Sequence, residues 1–245
     1  MPPEARPQDQ ALEAGLVGLA QQCQACRSCS LALGRQQVVV SRGNPLARLM
    51  LIGEAPGAQE DELGQPFVGR SGQLLDQLLA AAGLDSHRDA YIANALKCRP
   101  PGNRKPTAQE LAACRPWLQQ QIALVQPQVL VLVGATALQA VLGLKGPISQ
   151  LRGQWTSFEG RACMPIFHPA YLLRNGSTQP GRPRDLTRAD LEAVREQLLA
   201  LPPAAAPASS PASPGRSVTG LGPLPAPPDD RHPGPPRRCQ PGDEP

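Results

Sequence analysis

The chain of 245 residues contains no apolar run near the length of about 18 residues that a membrane-spanning helix needs. Its first seven residues, Met-Pro-Pro-Glu-Ala-Arg-Pro, lack the apolar core of a secretory signal. Aromatic side chains are also scarce, with three Phe, two Tyr and two Trp. We therefore expect a cytoplasmic protein without membrane contact, and we set aside the transmembrane and secreted classes.

The net charge is also small, +4 from 24 Lys and Arg against 20 Asp and Glu, and alone it does not indicate a polyanionic partner. Fourteen of the 30 prolines fall in residues 202–245, which contain no Phe, Tyr or Trp. Such a segment cannot bury enough apolar surface to offset the entropy lost on ordering. We expect residues 1–201 to fold as one domain and residues 202–245 to form a disordered, Pro-rich tail.

The positive charges are unevenly distributed along the folded part. Residues 174–188 contain four Arg and one Asp, and Arg99, Arg104 and Lys105 lie close together in a Pro-rich stretch. Clusters of this kind suit phosphate groups, although a solvated protein face is the commoner origin of any single cluster.

The chain is organised around residues 53–70, a stretch rich in Gly, Pro and acidic residues. It follows the apolar run 49–52, which predicts a buried strand, and it precedes leucines at helical spacing from Ser71 onward. Strand-to-helix loops usually have about 2–6 residues, and a longer one more often has a function. Phe67 is placed either to stack on a flat ligand or to pack this loop onto the core.

Strands alternate with helices along the remaining sequence. The pattern predicts strands over 38–40, 90–96, 128–134 and 164–167, a hairpin-like stretch over 151–162, and helices over 8–22, 71–82, 107–125, 135–142 and from Thr187. This alternation is typical of an α/β protein with a parallel sheet covered on both faces. In such sheets ligands bind at the carboxyl ends of the strands, where Asn94 and His168 are found.

Seven cysteines in an intracellular protein indicate metal or redox chemistry rather than disulfides. Cys23, Cys26 and Cys29 form two overlapping close pairs, whereas 15 residues separate Cys98 from Cys114. This is not zinc-ribbon spacing, and four thiolates are the ligand set of a 4Fe-4S cluster. On these residues alone zinc stays open, as does the alternative that Cys98 and Cys114 are ordinary buried thiols.

Several motifs, in their joint order and spacing, resemble those of the family 4 uracil-DNA glycosylases. They are Gly53-Glu-Ala-Pro-Gly57 with Glu60-Asp61, Pro66-Phe-Val-Gly69, Asn94 before Lys97-Cys-Arg-Pro-Pro101, and Phe167-His-Pro-Ala-Tyr-Leu-Leu-Arg-Asn175. The resemblance extends from about residue 12 to about residue 200. It implies a three-layer α/β/α fold with a central, mainly parallel four-stranded sheet. It also implies a DNA repair enzyme that flips uracil out of single- or double-stranded DNA and hydrolyses its N-glycosidic bond.

The resemblance further implies a 4Fe-4S cluster with the ligands Cys26, Cys29, Cys98 and Cys114. Cys29 is favoured over Cys23 because Leu31 and Gly34-Arg35 follow it at the family's spacing. Residues 99–106 contain neither the insertion nor the histidine of the branch that traps the sugar covalently, which favours simple hydrolysis by a monofunctional enzyme. We expect a monomer that acts on DNA at the nucleoid.

For the base, the resemblance implies a pocket composed of Gly53, Glu54, Ala55, Phe67, Asn94 and His168. Asn94 is expected to pair with uracil and to reject cytosine, and His168 to stabilise charge on the departing base. The alternative for His168 is a structural residue that caps a helix. Relatives with the highest activity have aspartate where this chain has Ala55.

A carboxylate is also expected for the sugar cation and the attacking water, and Glu54 is the first candidate. Further candidates for positioning the water are Glu60, Asp61 and Asn103. Leu172, Leu173 and Arg174 resemble the loop that enters the duplex, since apolar wedges hold DNA open, although both leucines could instead be core residues.

A rival hypothesis is an iron-sulfur protein that recognises damaged DNA without cleaving it. Such a protein would need the four cysteines and the basic segments, but it would not need Asn94. Release of uracil from DNA distinguishes the two hypotheses.

Overall fold

The computed structural model describes residues 6–202, so the predicted tail lies outside the described residues except for Pro202. The helices are α1 (Pro7–Gln24), α2 (Ala58–Leu63), α3 (Arg70–Ala81), α4 (Ala108–Val125), α5 (Ala135–Leu142), α6 (Ile148–Leu151), α7 (Pro169–Arg174) and α8 (Pro183–Ala200). The strands are β1 (Arg42–Gly43), β2 (Leu49–Gly53), β3 (Ala90–Asn94), β4 (Val129–Val133), β5 (Thr156–Phe158) and β6 (Arg161–Ile166). In residues 6–202 no helix has both the length and the apolar composition needed to cross a membrane.

Within the described residues the strands form one sheet of six, in the order β1-β3-β2-β4-β6-β5. The four central strands are parallel, and the short edge strands β1 and β5 run antiparallel to their neighbours. The predicted three-layer fold with four parallel central strands is therefore confirmed, and two edge strands extend the sheet. The antiparallel pair of β5 with β6 begins within the predicted hairpin-like stretch 151–162, whereas β1, with two residues, is too short to leave a periodic apolar signal.

The central strand β2 shows why helices cover both faces of this sheet. Leu49 and Leu51 pack into the core beneath α3 and α8, whereas Met50 and Ile52 pack into the core beneath α4 and α5. Successive side chains of a strand point to opposite faces, so an uninterrupted apolar strand has to be buried on both.

Two predicted elements are wrong in detail. Residues 38–40 form no strand, and the edge strand is β1 at Arg42–Gly43 instead. Helix α8 begins at Pro183 rather than at Thr187, whose hydroxyl donates to the carbonyl oxygen of Pro183 at 2.7 Å inside the helix. The Thr-x-x-Asp pattern there is not a capping box, because Asp190 pairs with Arg152.

The parallel arrangement fixes where functional groups can meet. Strands β2, β3, β4 and β6 end at the same edge of the sheet. Gly53 and Asn94 are the last residues of neighbouring strands, and His168 follows β6 after one residue. Residues 53–70 leave this edge not as one irregular loop but as two segments joined by the short helix α2.

Candidate active site and cysteine site

A cavity of about 420 Å³ lies at the carboxyl edge of the parallel strands. The sequence-predicted residues that line it are Glu54, Ala55, Glu60, Phe67, Asn94, Asn103, His168 and Arg174. Those that do not line it are Gly53, Asp61, Leu172 and Leu173. The topology thus brings most of the predicted uracil site into one cavity.

Asn94 and Phe67 meet at the inner end of this cavity. Asn94 is 2% exposed, and its Oδ1 atom is buried without a hydrogen-bond partner among residues 6–202. A Cβ atom on Gly53 would lie 2.4 Å from both Asn94 Oδ1 and Phe67 Cζ, so only glycine lets both groups approach the strand end. An unsatisfied buried acceptor costs about 1–3 kcal/mol, so this atom is one to which an N–H donor could bind favourably.

The backbone of Phe67 is strained and is held from both sides. Its φ of 56° is in the left-handed region, which is unfavourable for a bulky residue. Arg42 donates to the carbonyl oxygens of Pro66 and Phe67 at 2.9 and 3.4 Å, and it pairs with Asp76 at 2.6 Å. Glu60 accepts from the two N–H groups that follow Phe67 at 3.0 and 2.8 Å. These contacts fix the aromatic ring against the cavity.

His168 is oriented as a hydrogen-bond donor toward the cavity. It caps α7, and its Nδ1 atom accepts the N–H of Ala170 at 3.1 Å, so the neutral imidazole carries its proton on Nε2. Burial lowers the pKa of His168 and Arg174 adds to that effect, whereas Glu54 opposes it. The ring is therefore neutral at neutral pH, with its centroid 6.1 Å from that of Phe67.

Glu54 is the first residue after β2, and its carboxylate is held from the start of helix α5. The hydroxyl of Thr136, at the start of α5, donates to Glu54 Oε2. The backbone carbonyl of Glu54 accepts the N–H of Leu96 at 3.0 Å. One carboxylate is thus held at the wall of the cavity that His168 also lines.

Residues 99–105, called here the basic segment, lie beside the cavity and are anchored to α4. Arg104 donates to both carboxylate oxygens of Glu110, at 2.6 and 2.9 Å, and this bond lowers the pKa of Glu110 to about 2. Asn103 has a φ of 56° and its Oδ1 atom accepts from Arg99 at 2.7 Å. Lys105 is exposed at the cavity rim. The segment therefore presents positive charge in a defined conformation.

The predicted cysteine ligands lie together at a second cavity, which Lys97 also lines. Cys26, Cys29, Cys98 and Cys114 line one small cavity, to which Cys23 also contributes. Within residues 6–202 every cysteine is free, and no set of three or more ligating side chains could hold a single metal ion. A polynuclear cluster makes a different demand, since each thiolate binds a different iron and the sulfurs lie further apart.

N–H donors point at these sulfurs, as is usual around iron-sulfur clusters. Arg35 Nη1 lies 3.2 Å from Cys98 Sγ, and the backbone N–H of Lys97 lies with its nitrogen 3.3 Å from Cys114 Sγ. Burial raises the pKa of Cys114 to about 11, so its thiolate form depends on positive charge nearby. The donor set and its surroundings therefore fit a four-thiolate cluster.

A sequence model of the uracil DNA glycosylase superfamily matches residues 40–195. The type-4 uracil-DNA glycosylase of Thermotoga maritima is 47% identical over 158 residues, which are 63% of this chain and 81% of that relative. The chain belongs to the type-4 uracil-DNA glycosylase family. The type-4 enzyme of Archaeoglobus fulgidus is 38% identical over 166 residues (64% of this chain, 83% of the relative), and the type-5 uracil-DNA glycosylase of Thermus thermophilus is 33% identical over 194 residues (64% and 86%). The family resemblance found in the sequence is thus confirmed.

Two residues of this type-4 family member differ in placement from the sequence prediction. Asp61 is 2% exposed, and its Oδ1 atom accepts the N–H groups of Gln36 and Gln37 at 3.0 and 3.3 Å, so it anchors a loop away from the cavity. Leu172 is 1% exposed in the core and cannot enter DNA without unfolding α7. Leu173, by contrast, is 41% exposed beside the exposed Arg174.

Further residues that the sequence did not predict line the cavity or hold one of its side chains. Tyr171 lines the cavity, is 38% exposed and stacks on Phe167 with ring centroids 5.1 Å apart. Ser71 lines the cavity, and Thr136 holds Glu54. Thr136 could have been found, because it follows the clearest buried strand of the sequence and ligands bind where such strands end.

Proposed function

We propose that the protein excises uracil from DNA by hydrolysing the bond between base and deoxyribose, leaving an abasic site. A base within a duplex is inaccessible, so the uracil has to be flipped into the cavity. The observation that carries this proposal is the buried Oδ1 atom of Asn94 beside the ring of Phe67, which has no hydrogen-bond partner in the part of the chain that the structure describes. This atom can accept a hydrogen bond from an N–H group of a flat ligand that stacks on Phe67.

The Asn94 amide accounts for the choice of uracil over cytosine. Its Oδ1 atom accepts from the ring N–H of uracil, while its NH₂ group donates to the adjacent carbonyl oxygen. Cytosine has an unprotonated ring nitrogen and an amino group at these positions, so both pairs would be mismatched. Buried polar groups left unpaired reject a ligand strongly. Phe67 supplies the stacking face.

His168 stabilises the departing base. Negative charge builds on a uracil carbonyl oxygen as the bond breaks, and Nε2–H is the donor that remains after Nδ1 is engaged by Ala170. One preorganised donor of this kind is typically worth about 2.7–4 kcal/mol. A neutral imidazole performs this role without the cost of burying a cation.

Glu54 acts on the positively charged side of the transition state. Its carboxylate is held by Thr136 at the cavity wall and is placed to stabilise the sugar cation or to orient the attacking water. Asn103, which also lines the cavity, is a second candidate for contact with that water.

The DNA strand is held around the cavity mouth. Three cationic side chains line the cavity and carry the positive charge that phosphate groups bind, namely Arg174, Arg104 and Lys105. Leu173 is an exposed aliphatic side chain on α7 and fills the space that the flipped base leaves.

Cys26, Cys29, Cys98 and Cys114 are proposed to hold a 4Fe-4S cluster. Such a cluster supplies strong iron-thiolate bonds that join distant parts of a chain. Cys98 lies at the start of the basic segment and Cys114 lies in α4, so their shared site fixes that segment beside the cavity. Iron analysis and visible absorbance of the purified protein test this assignment.

The function is tested by uracil release from single-stranded DNA and from a U:G duplex, measured as alkali-sensitive abasic sites. We expect Asn94→Ala and His168→Ala to lose release while the iron content stays unchanged. His87→Ala is the matched control, because His87 is exposed and outside the cavity. Wild-type protein that binds these DNAs but forms no abasic sites would refute the enzyme and favour a damage-binding protein.

A further inference from the structure

Lys97 is a fully buried lysine that the proposed chemistry does not use. It is 1% exposed, and its ammonium donates to the backbone carbonyl oxygen of Asn94 at 2.7 Å and to Gln121 Oε1. Among residues 6–202 no carboxylate forms an ion pair with it. Burying an ammonium with only neutral acceptors is costly, so this placement calls for an explanation.

The same residue also contacts the cysteine site. The backbone nitrogen of Lys97 lies 3.3 Å from Cys114 Sγ, and Cys98 is the next residue in the chain. Thiolates at that site would supply the negative charge that the ammonium otherwise lacks. One residue therefore joins the cysteine site to the residue that is proposed to recognise uracil.

The second acceptor of the ammonium is itself held firmly. Gln121 donates through Nε2 to the carbonyl oxygen of Val40 and to the hydroxyl of Tyr91, each at 3.0 Å. Gln121 is fully buried in α4. The ammonium of Lys97 thus donates both to Gln121 of α4 and to the carbonyl oxygen of Asn94, the last residue of β3.

We propose that Lys97 is a positioning residue that ties Asn94 to the cysteine site, so that the geometry of this site sets the orientation of the Asn94 amide. The proposal rests on the proposed function of the cavity. Asn94 ends β3, where the sheet no longer holds the chain on both sides, and a bond to its carbonyl group restrains the peptide that carries the amide side chain. The cysteine site then serves base recognition as well as the basic segment.

The test uses the full chain with its cysteine site loaded and compares Lys97→Met with wild type. Three quantities are measured. They are the iron content per chain, the ratio of the affinities for a duplex with a non-hydrolysable uracil nucleotide and for the same duplex with thymine, and the single-turnover rate of uracil excision. We expect unchanged iron and unchanged affinity for the thymine duplex, because Lys97 is buried and cannot reach phosphate. The preference for uracil and the rate should each fall by about 10- to 100-fold, the value of a hydrogen bond from a charged group.

Lys145→Met is the matched control, since Lys145 is exposed and lines neither cavity. Lys97→Met with intact iron and an unchanged preference for uracil overturns the proposal. Loss of iron also overturns it, because Lys97 would then serve the cysteine site alone.

If Lys97→Met does not fold, Gln121→Met provides the test. It removes the second acceptor of the ammonium without altering either cavity lining, and it should lower the same preference. An unchanged preference in this variant overturns the proposal. Failure of the proposed function is seen separately, as wild-type protein that releases no uracil.

Discussion

Gly53→Ala should disable the cavity while leaving the fold intact. The added Cβ atom would lie 2.4 Å from Asn94 Oδ1 and from Phe67 Cζ, whereas ordinary van der Waals contact begins near 3.4 Å. Both side chains therefore have to move by about 1 Å, and a misplacement of that size can cost about 100-fold in rate. The contacted atoms are side-chain tips rather than backbone, so the chain can still fold around the change.

The assay is single-turnover excision from a U:G duplex, with thermal unfolding measured on the same samples. Gly18→Ala is the matched control, because a Cβ atom on this glycine of α1 meets nothing within 4 Å. We expect Gly53→Ala to lose about 100-fold in rate with little change in Tm, and Gly18→Ala to keep the full rate. A Gly53→Ala rate within about threefold of wild type would refute the reasoning, since a barrier change that small leaves the site undisturbed.

Three other groups around the cavity can be tested in the same way. Thr136→Val should lower the single-turnover rate by about 10- to 100-fold by releasing Glu54, and Thr136→Ser should restore it; equal rates in all three proteins would contradict this role. Arg42→Met should lower both the Tm and the affinity for uracil-containing DNA, because the strained loop of Phe67 loses its carbonyl anchor, and unchanged affinity would contradict it. For His168, whose folded-state pKa lies below 6.5, the free energy of unfolding should fall as pH drops below that value, because the unfolded chain binds a proton there that the folded chain does not. Denaturant unfolding at several pH values should show this slope, and His168→Gln should flatten it.

The fold could be predicted largely because the central strands are uniformly apolar. A run such as Val129–Val133 has to be buried on both faces, and parallel strands joined by helices then end at one edge. This places Asn94 and His168 together without any coordinates. The edge strand β1 escaped prediction because two half-buried residues carry no periodic signal, whereas β5 lies within the predicted hairpin-like stretch.

The site was less predictable, because residue type does not reveal what a side chain contacts. Leu172 and Leu173 are the same residue type at adjacent positions, but the helical rotation between neighbouring residues of α7 buries the first and exposes the second. Lys97 has no role in any sequence prediction, although its ammonium donates to the backbone carbonyl oxygen of Asn94 inside the fold. Such differences depend on the rotation of a short helix or on one rotamer, which spacing along the chain does not specify.

The acidic residues of the central stretch show the same limit, and their contacts decide among them. Glu60 accepts three backbone N–H groups and Asp61 accepts two, so turning either carboxylate toward a substrate would leave buried donors unpaired at about 1–3 kcal/mol each. Glu54 is held instead by the hydroxyl of Thr136, which can rotate with it, and its second oxygen is not taken by a backbone donor in residues 6–202. Glu60 therefore braces the loop that carries Phe67, and Asp61 ties α2 to residues 36 and 37. Of the three candidate carboxylates, Glu54 is left as the one that can respond to charge on the sugar.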